Sequence, residues 1–101
     1  PVFYGHSEAV HIETRDKISA AEVCELLRNA PGVQLLDGVE TGAYPTAVTE
    51  ASGRDPVFVG RVREDISHPR GIDLWVVADN IRKGAALNSV QIAEILAKNH
   101  L

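Results

Sequence analysis

The sequence predicts an α+β domain, with a mixed or mostly antiparallel sheet and helices packed on one face. Three features carry that expectation. Val10, Ile12 and Thr14 alternate with His11 and Glu13, the period of a half-buried strand. Ser19-Ala20-Ala21-Glu22 opens a helix with a capping box, in which Ser19 and Glu22 satisfy two orphan backbone amides. Leu74-Trp75-Val76-Val77-Ala78 is a continuous apolar run between polar residues, which suits a central strand covered on both faces.

In chain order, Val2–Tyr4 and Ala9–Thr14 read as extended. Ile18, just before the cap, is placed to staple against Val23, and Val23, Leu26, Leu27 and Ala30 recur at helical spacing until Pro31-Gly32 stops the helix. Val33–Leu36 makes a short strand, closed by Asp37-Gly38. From there to Pro56 runs a Gly-, Thr-, Ala- and Pro-rich connection without clear structure, of a length that is usually functional or partner-contacting. Val57–Glu64 reads as a strand with Val57, Val59, Arg61 and Arg63 on one face, the arginines marking a solvated or intersubunit surface. His68-Pro69-Arg70-Gly71 is a turn. After the apolar run, Ile81 to about Asn99 reads as one long helix. Its two apolar stripes, Ile81, Ala85, Ile92 and Leu96 beside Ala86, Val90, Ala93 and Ala97, make a wide sector for a terminal helix. The order is β-α-β, then β-β-α, with no internal repeat.

A chain of 101 residues supports one domain with a modest core, and 45% hydrophobic with 24% charged residues is ordinary for a soluble protein. A net charge of -4 gives no electrostatic case for nucleic acid or an anionic membrane. No apolar run approaches the roughly 20 residues that span a bilayer. No basic-then-apolar leader is present, so secretion is not expected. One cysteine, Cys24, excludes an internal disulfide and a cysteine-based metal site, and a reducing cytoplasmic setting fits best. No metal site is expected from His6, His11, His68 and His100. His6 and His11 are five apart, and an odd separation on a strand sends them to opposite faces.

His6 is the candidate general acid/base. Gly5 and Ser7 leave its imidazole uncrowded, and histidine titrates where a physiological proton donor or acceptor must. Against this stands an ordinary strand-end histidine bonded to a carbonyl. Cys24 sits mid-helix beside an apolar stripe, with no feature that would stabilise a thiolate, and reads as a packing residue. Asn80 lies where the apolar strand gives way to the last helix; its amide can donate and accept, as recognition of a carboxamide or ribose requires. The alternative there is helix capping by Asp79 or Asn80. Arg82 and Lys83 are placed to meet a phosphate or simply solvent, and Gly84-Ala85-Ala86 lacks the spacing of a phosphate-binding loop. These residues alone give a small domain with one acid/base and no nucleophile.

Five ordered blocks carry a resemblance: Val2-Phe3-Tyr4-Gly5-His6-Ser7-Glu8-Ala9-Val10, Pro45-Thr46, Val57-Phe58-Val59-Gly60-Arg61, Leu74–Asn80 and Arg82–Asn88. Over essentially its whole length the chain resembles the C-terminal segment of the aspartate-semialdehyde dehydrogenase family. The resemblance implies an NADP-dependent oxidoreductase that interconverts aspartate β-semialdehyde plus phosphate and β-aspartyl phosphate, in the biosynthesis of lysine, threonine and methionine. It makes His6, in the Gly-His-Ser motif, the acid/base that assists a cysteine nucleophile, and it makes Asn80 an NADP contact. It further implies that residues 1–101 are the C-terminal part of a catalytic and dimerisation domain. On that reading the final helix, about 81–99, packs on a nucleotide-binding domain, and the full-length protein is a cytoplasmic homodimer acting on a small-molecule substrate.

The family's nucleophilic cysteine lies upstream in an Asn-Cys context that is absent here, and Cys24 does not match it. The Rossmann half and the substrate-binding arginine also lie outside this sequence. A piece of this kind is expected to be inactive alone. Two other readings stay open: a small α+β regulatory or interaction module without catalysis, and one half of a split, complementing enzyme.

Overall fold

The apolar run at 74–78 lies in an inner strand of a sheet that is packed on both faces, with Leu74 buried on one side and Val77 on the other. The computed structural model describes residues 1–38 and 42–101. Four strands, β1 (His6–Glu13), β2 (Val33–Leu35), β3 (Val57–Glu64) and β4 (Gly71–Ala78), form one mixed sheet in the order β1-β4-β3-β2. The β1/β4 and β3/β4 pairs are antiparallel and the β2/β3 pair is parallel. Two α-helices, α1 (Ala20–Arg28) and α2 (Leu87–Asn99), complete the chain.

Alternation along β3 and β4 splits the core in two. Val59, Ile72 and Leu74 face α1, whose Val23 and Leu27 pack on them together with Ile18 and Val10. The capping box forms as expected: the Ser19 hydroxyl accepts from the Glu22 amide, and a Glu22 carboxylate oxygen accepts from the Ser19 amide at 2.8 Å. On the opposite face Phe58 and Val77 are fully buried with Ala51, and Leu36 and Trp75 pack against them. This second face is roofed from within the connection that shows no clear structure in the sequence. Ala47–Ala51 makes a single wide helical turn, closed by i→i+5 bonds from the Ala51 amide to the Thr46 carbonyl and from the Ser52 amide to the Ala47 carbonyl. Trp75 Nε1 donates to the Pro45 carbonyl at 3.0 Å and ties this roof to the sheet. Positions 39–41 of the same connection lie outside the described residues.

Three expectations need correction. Val2–Tyr4 does not run extended: the chain bends at Phe3–Gly5, and β1 starts at His6. In β3, Arg61 and Arg63 do not continue the face of Val57 and Val59. Gly60 pairs with Trp75 but Arg63 pairs with Asp73, so one extra residue is inserted, and Arg61 takes a positive φ of 54°. Asp37 receives the amides that this bulge frees, accepting from Arg61 N at 3.0 Å and Val62 N at 3.1 Å. The third correction concerns the last helix, which begins at Leu87 rather than at Ile81. Lys83 (ψ 123°), Gly84 (φ 92°) and Ala85 (φ −133°, ψ −111°) break helical geometry before it. None of α2 is fully buried, and Val90, Ile92, Ile95 and Leu96 remain about half exposed, at 54%, 57%, 57% and 47%. A radius of gyration of 15.1 Å, against about 13 Å for a compact chain of this length, reflects that projecting helix.

β1 carries its two histidines on opposite faces, as their odd spacing requires. His11 lies on the side away from α1, over Gly71, where an added Cβ would come within 3.0 Å of the imidazole Cε1. Its Nδ1 lies 2.9 Å from Asp73 Oδ1 and 4.0 Å from Asp65 Oδ2, and its Nε2 lies 3.6 Å from Glu13 Oε1. The hydrogen bond to Asp73, opposed by partial desolvation and aided by Glu13, raises the His11 pKa above 6.5. Because the folded value exceeds the unfolded one, the stabilisation is complete below about pH 6.5 and is lost as pH rises through the raised folded value. A His11→Gln variant is therefore expected to show a flatter dependence of Tm on pH above 6.5 than the parent. Identical slopes for parent and variant would show that the cluster does not couple protonation to folding.

Candidate active site

The two sequence-selected residues, His6 and Asn80, are far apart in the chain and line one cavity. It measures about 350 Å³ and is bounded by His6 and Glu8 of β1, Val76 and Ala78 of β4, Val57 of β3, and Asn80, Lys83, Gly84 and Asn88 beyond the sheet. His6 is the first residue of β1 and pairs with Ala78, so the strand end that ladders it to β4 also sets it beside Asn80. Gly5 makes the approach possible. It has φ 75°, and a Cβ there would meet the Ala78 carbonyl oxygen at 2.8 Å and Ala47 Cβ at 3.3 Å.

Neither Asp79 nor Asn80 caps the last helix, whose N-cap is Ala86 without a side-chain bond; Asp79 instead ties the turn after β4 to Gly53. Its Oδ1 accepts from the Ile81 amide at 3.0 Å and its Oδ2 from the Gly53 amide at 2.8 Å. These bonds, led by that from Gly53, hold the Asp79 carboxyl below its usual range. Among the described residues the Asn80 side chain makes no hydrogen bond within the chain, which leaves its donor and acceptor for a ligand. Arg82 is turned away and pairs with Asp55 at 2.6 Å. The break at 83–85 then folds the chain back over the cavity mouth. There the Asn88 Oδ1 accepts from the Gly84 amide at 2.9 Å, and Lys83 Nζ donates to Gln91 Oε1 at 3.1 Å. Glycine is required at this corner, since φ 92° is closed to most side chains.

The sequence reading did not single out Glu8 and Asn88 as site residues. Glu8 was legible in principle: it stands two residues from His6, so the pleat places both on one face. Asn88 depends on the break at 83–85, which helical spacing conceals. Cys24 stays outside the cavity. It sits half-buried on α1 with its thiol 3.6 Å from Asp37 Oδ2, and burial, with the Asp37 carboxylate adding, pushes that thiol's pKa up. The cavity thus offers a proton-transfer group and two amides, while no thiol or hydroxyl is among its lining residues. Among the described residues no group of three His, Cys, Asp or Glu is placed to hold a metal ion, and no helix is long and apolar enough to cross a membrane.

A histidine and two side-chain amides thus share one cavity at one end of a mixed sheet, with no nucleophile among its lining residues. Comparison with known proteins supplies the class. The family model described as "Semialdehyde dehydrogenase, dimerisation domain" matches residues 1–83. The chain is 64% identical over 100 residues to aspartate-semialdehyde dehydrogenase of Shewanella violacea, covering 99% of this chain and 29% of that protein. It is 55% identical over 101 residues to the enzyme of that name from Aquifex aeolicus, again over 29% of that protein. The crystal structure of aspartate semialdehyde dehydrogenase II from Vibrio cholerae superposes with a TM-score of 0.90 at 56% identity, over 99% of this chain and 29% of that one. The chain belongs to the semialdehyde dehydrogenase family, within its dimerisation domain. It spans under a third of the length of these relatives.

Proposed function

We propose that this chain is the C-terminal portion of an aspartate-semialdehyde dehydrogenase, an NADP-dependent oxidoreductase that interconverts aspartate β-semialdehyde plus phosphate and β-aspartyl phosphate. The observation that carries the reading is the convergence of His6 and Asn80 on one cavity. His6 serves as general acid/base. It takes the proton of the nucleophile supplied by the rest of the polypeptide and returns one when phosphate releases the acyl group. Asn80 holds the cofactor through its free amide. The residues present fit one end of a dinucleotide: Asn80 supplies a donor and an acceptor, and Asn88 retains its NH₂ beyond the bond to Gly84. NADP, when bound, supplies hydride acceptance. The half-exposed apolar side chains of α2 are the surface for the nucleotide-binding part, and the dimerisation-domain match supports a homodimer of the full-length, cytoplasmic protein.

The test is an assay of the purified 101-residue chain beside a full-length polypeptide containing it, with NADP, phosphate and the semialdehyde. Turnover is expected only in the full-length protein. Turnover by the short chain, or a full-length protein indifferent to NADP, would overturn the assignment.

A further inference from the structure

From the contact between the imidazole of His6 and the carboxylate of Glu8 inside the cavity, we propose that Glu8 is a positioning residue that orients His6 and fixes which ring nitrogen carries its proton. The inference rests on the assignment of His6 as the acid/base. Both residues stand in hydrogen-bonded ladder positions of β1. The Thr14 amide donates to the Arg70 carbonyl, so in the antiparallel register every second residue back along the strand, including Glu8 opposite Val76 and His6 opposite Ala78, turns its peptide groups toward β4. Their Cα positions are therefore fixed by the sheet, and the pleat sends both side chains into the same cavity.

The His6 Nδ1 lies 3.6 Å from Glu8 Oε1. Among the described residues no other basic side chain lies within 4.0 Å of the Glu8 carboxylate. Lys83, the one fixed cation among the described residues that line the cavity, directs its Nζ to Gln91 instead. A carboxylate facing Nδ1 favours the proton on that nitrogen, which leaves Nε2 as the atom that gives and takes protons during the reaction. The separation exceeds a hydrogen bond, as is common for catalytic contacts before substrate is bound. Both side chains are 60% exposed here, so closure of the site by the rest of the protein is what strengthens the contact.

The experiment combines nitrogen-15 NMR of the histidine rings with steady-state kinetics on the full-length protein, with the His6 signals assigned by their loss in His6→Gln. Neutral His6 is expected as the Nδ1–H tautomer in the parent and as the Nε2–H tautomer preferred by an unconstrained histidine side chain in Glu8→Gln. The Glu8→Gln variant is expected to lose about tenfold in kcat with KM within about twofold, a smaller loss than for a buried orienting carboxylate. An Nε2–H tautomer in the parent, or the same tautomer in both proteins, overturns the proposal. So does an unchanged kcat in Glu8→Gln when His6→Gln is crippled. If His6→Gln itself keeps full activity, the acid/base assignment fails, and the tautomer alone decides whether Glu8 orients the ring.

Discussion

Replacing His6 by glutamine in the full-length protein is expected to lower kcat by about 10²–10⁴-fold, the usual contribution of a positioned acid/base. Glutamine keeps much of the size and hydrogen-bonding capacity of imidazole but cannot exchange a proton near neutral pH. The side chain is 60% exposed in this chain and contributes nothing to either core cluster, so folding should be unaffected. The decisive comparison is therefore activity against Tm: a large fall in kcat with Tm held within a degree or two. On the proposed reading the nucleophile lies elsewhere in the polypeptide, so binding of the semialdehyde should survive and KM should change far less than kcat. A variant retaining more than half of the parent kcat would remove His6 from the chemistry.

Phe58→Ala has the largest expected effect on stability. Phe58 is fully buried, it forms a cluster with Ala51 and Val77, and the Arg54 guanidinium sits 4.8 Å from its ring centroid. Truncation removes the ring and leaves a cavity between β3 and the helical turn at Ala47–Ala51, at a cost of about 3–5 kcal/mol. That is comparable with the whole stability of many domains of this size. Val48→Ala, on the same turn but 75% exposed, is the control and should change stability by no more than about 0.5 kcal/mol. Chemical denaturation of the two variants checks this. A Phe58→Ala loss below about 1 kcal/mol would mean that the second face of the sheet contributes little to folding. Loss of that roof would also slacken Gly53 and its bond to Asp79, so the cavity should respond to Phe58→Ala although Phe58 does not line it.

Local rules account for much of this architecture. The capping box at Ser19 and Glu22, the central strand at 74–78 and the opposite faces of His6 and His11 each follow from spacing within a few residues, and each stands in the structure. Three features do not follow in that way. The bulge at Arg61 depends on Asp37, far back along the chain, reaching two freed amides. The helical turn at Ala47–Ala51 consists of small and polar residues with little periodicity, and it forms because Phe58, Val77 and Trp75 offer it a surface. The break at Lys83–Ala85 hides inside a stretch whose apolar residues keep helical spacing across it. Only Gly84 hints at the corner, and a single glycine is tolerated in many helices. The candidate site shows the same division. His6 was legible from its motif and Asn80 from its place at a strand end, whereas Asn88 enters through a corner that the sequence pattern conceals.

The two-sidedness of β1 has a bearing on how this segment tolerates insertion and deletion. Each step of one residue along the strand exchanges its faces. A single-residue deletion between His6 and His11 would carry one histidine to the wrong side of the sheet, whichever end of the strand held its place. Loss of two residues preserves parity and keeps each histidine on its own face, while moving one of them two register positions along β4. Length variation here is thus constrained to even numbers, and the strand acts as a spacer read modulo two.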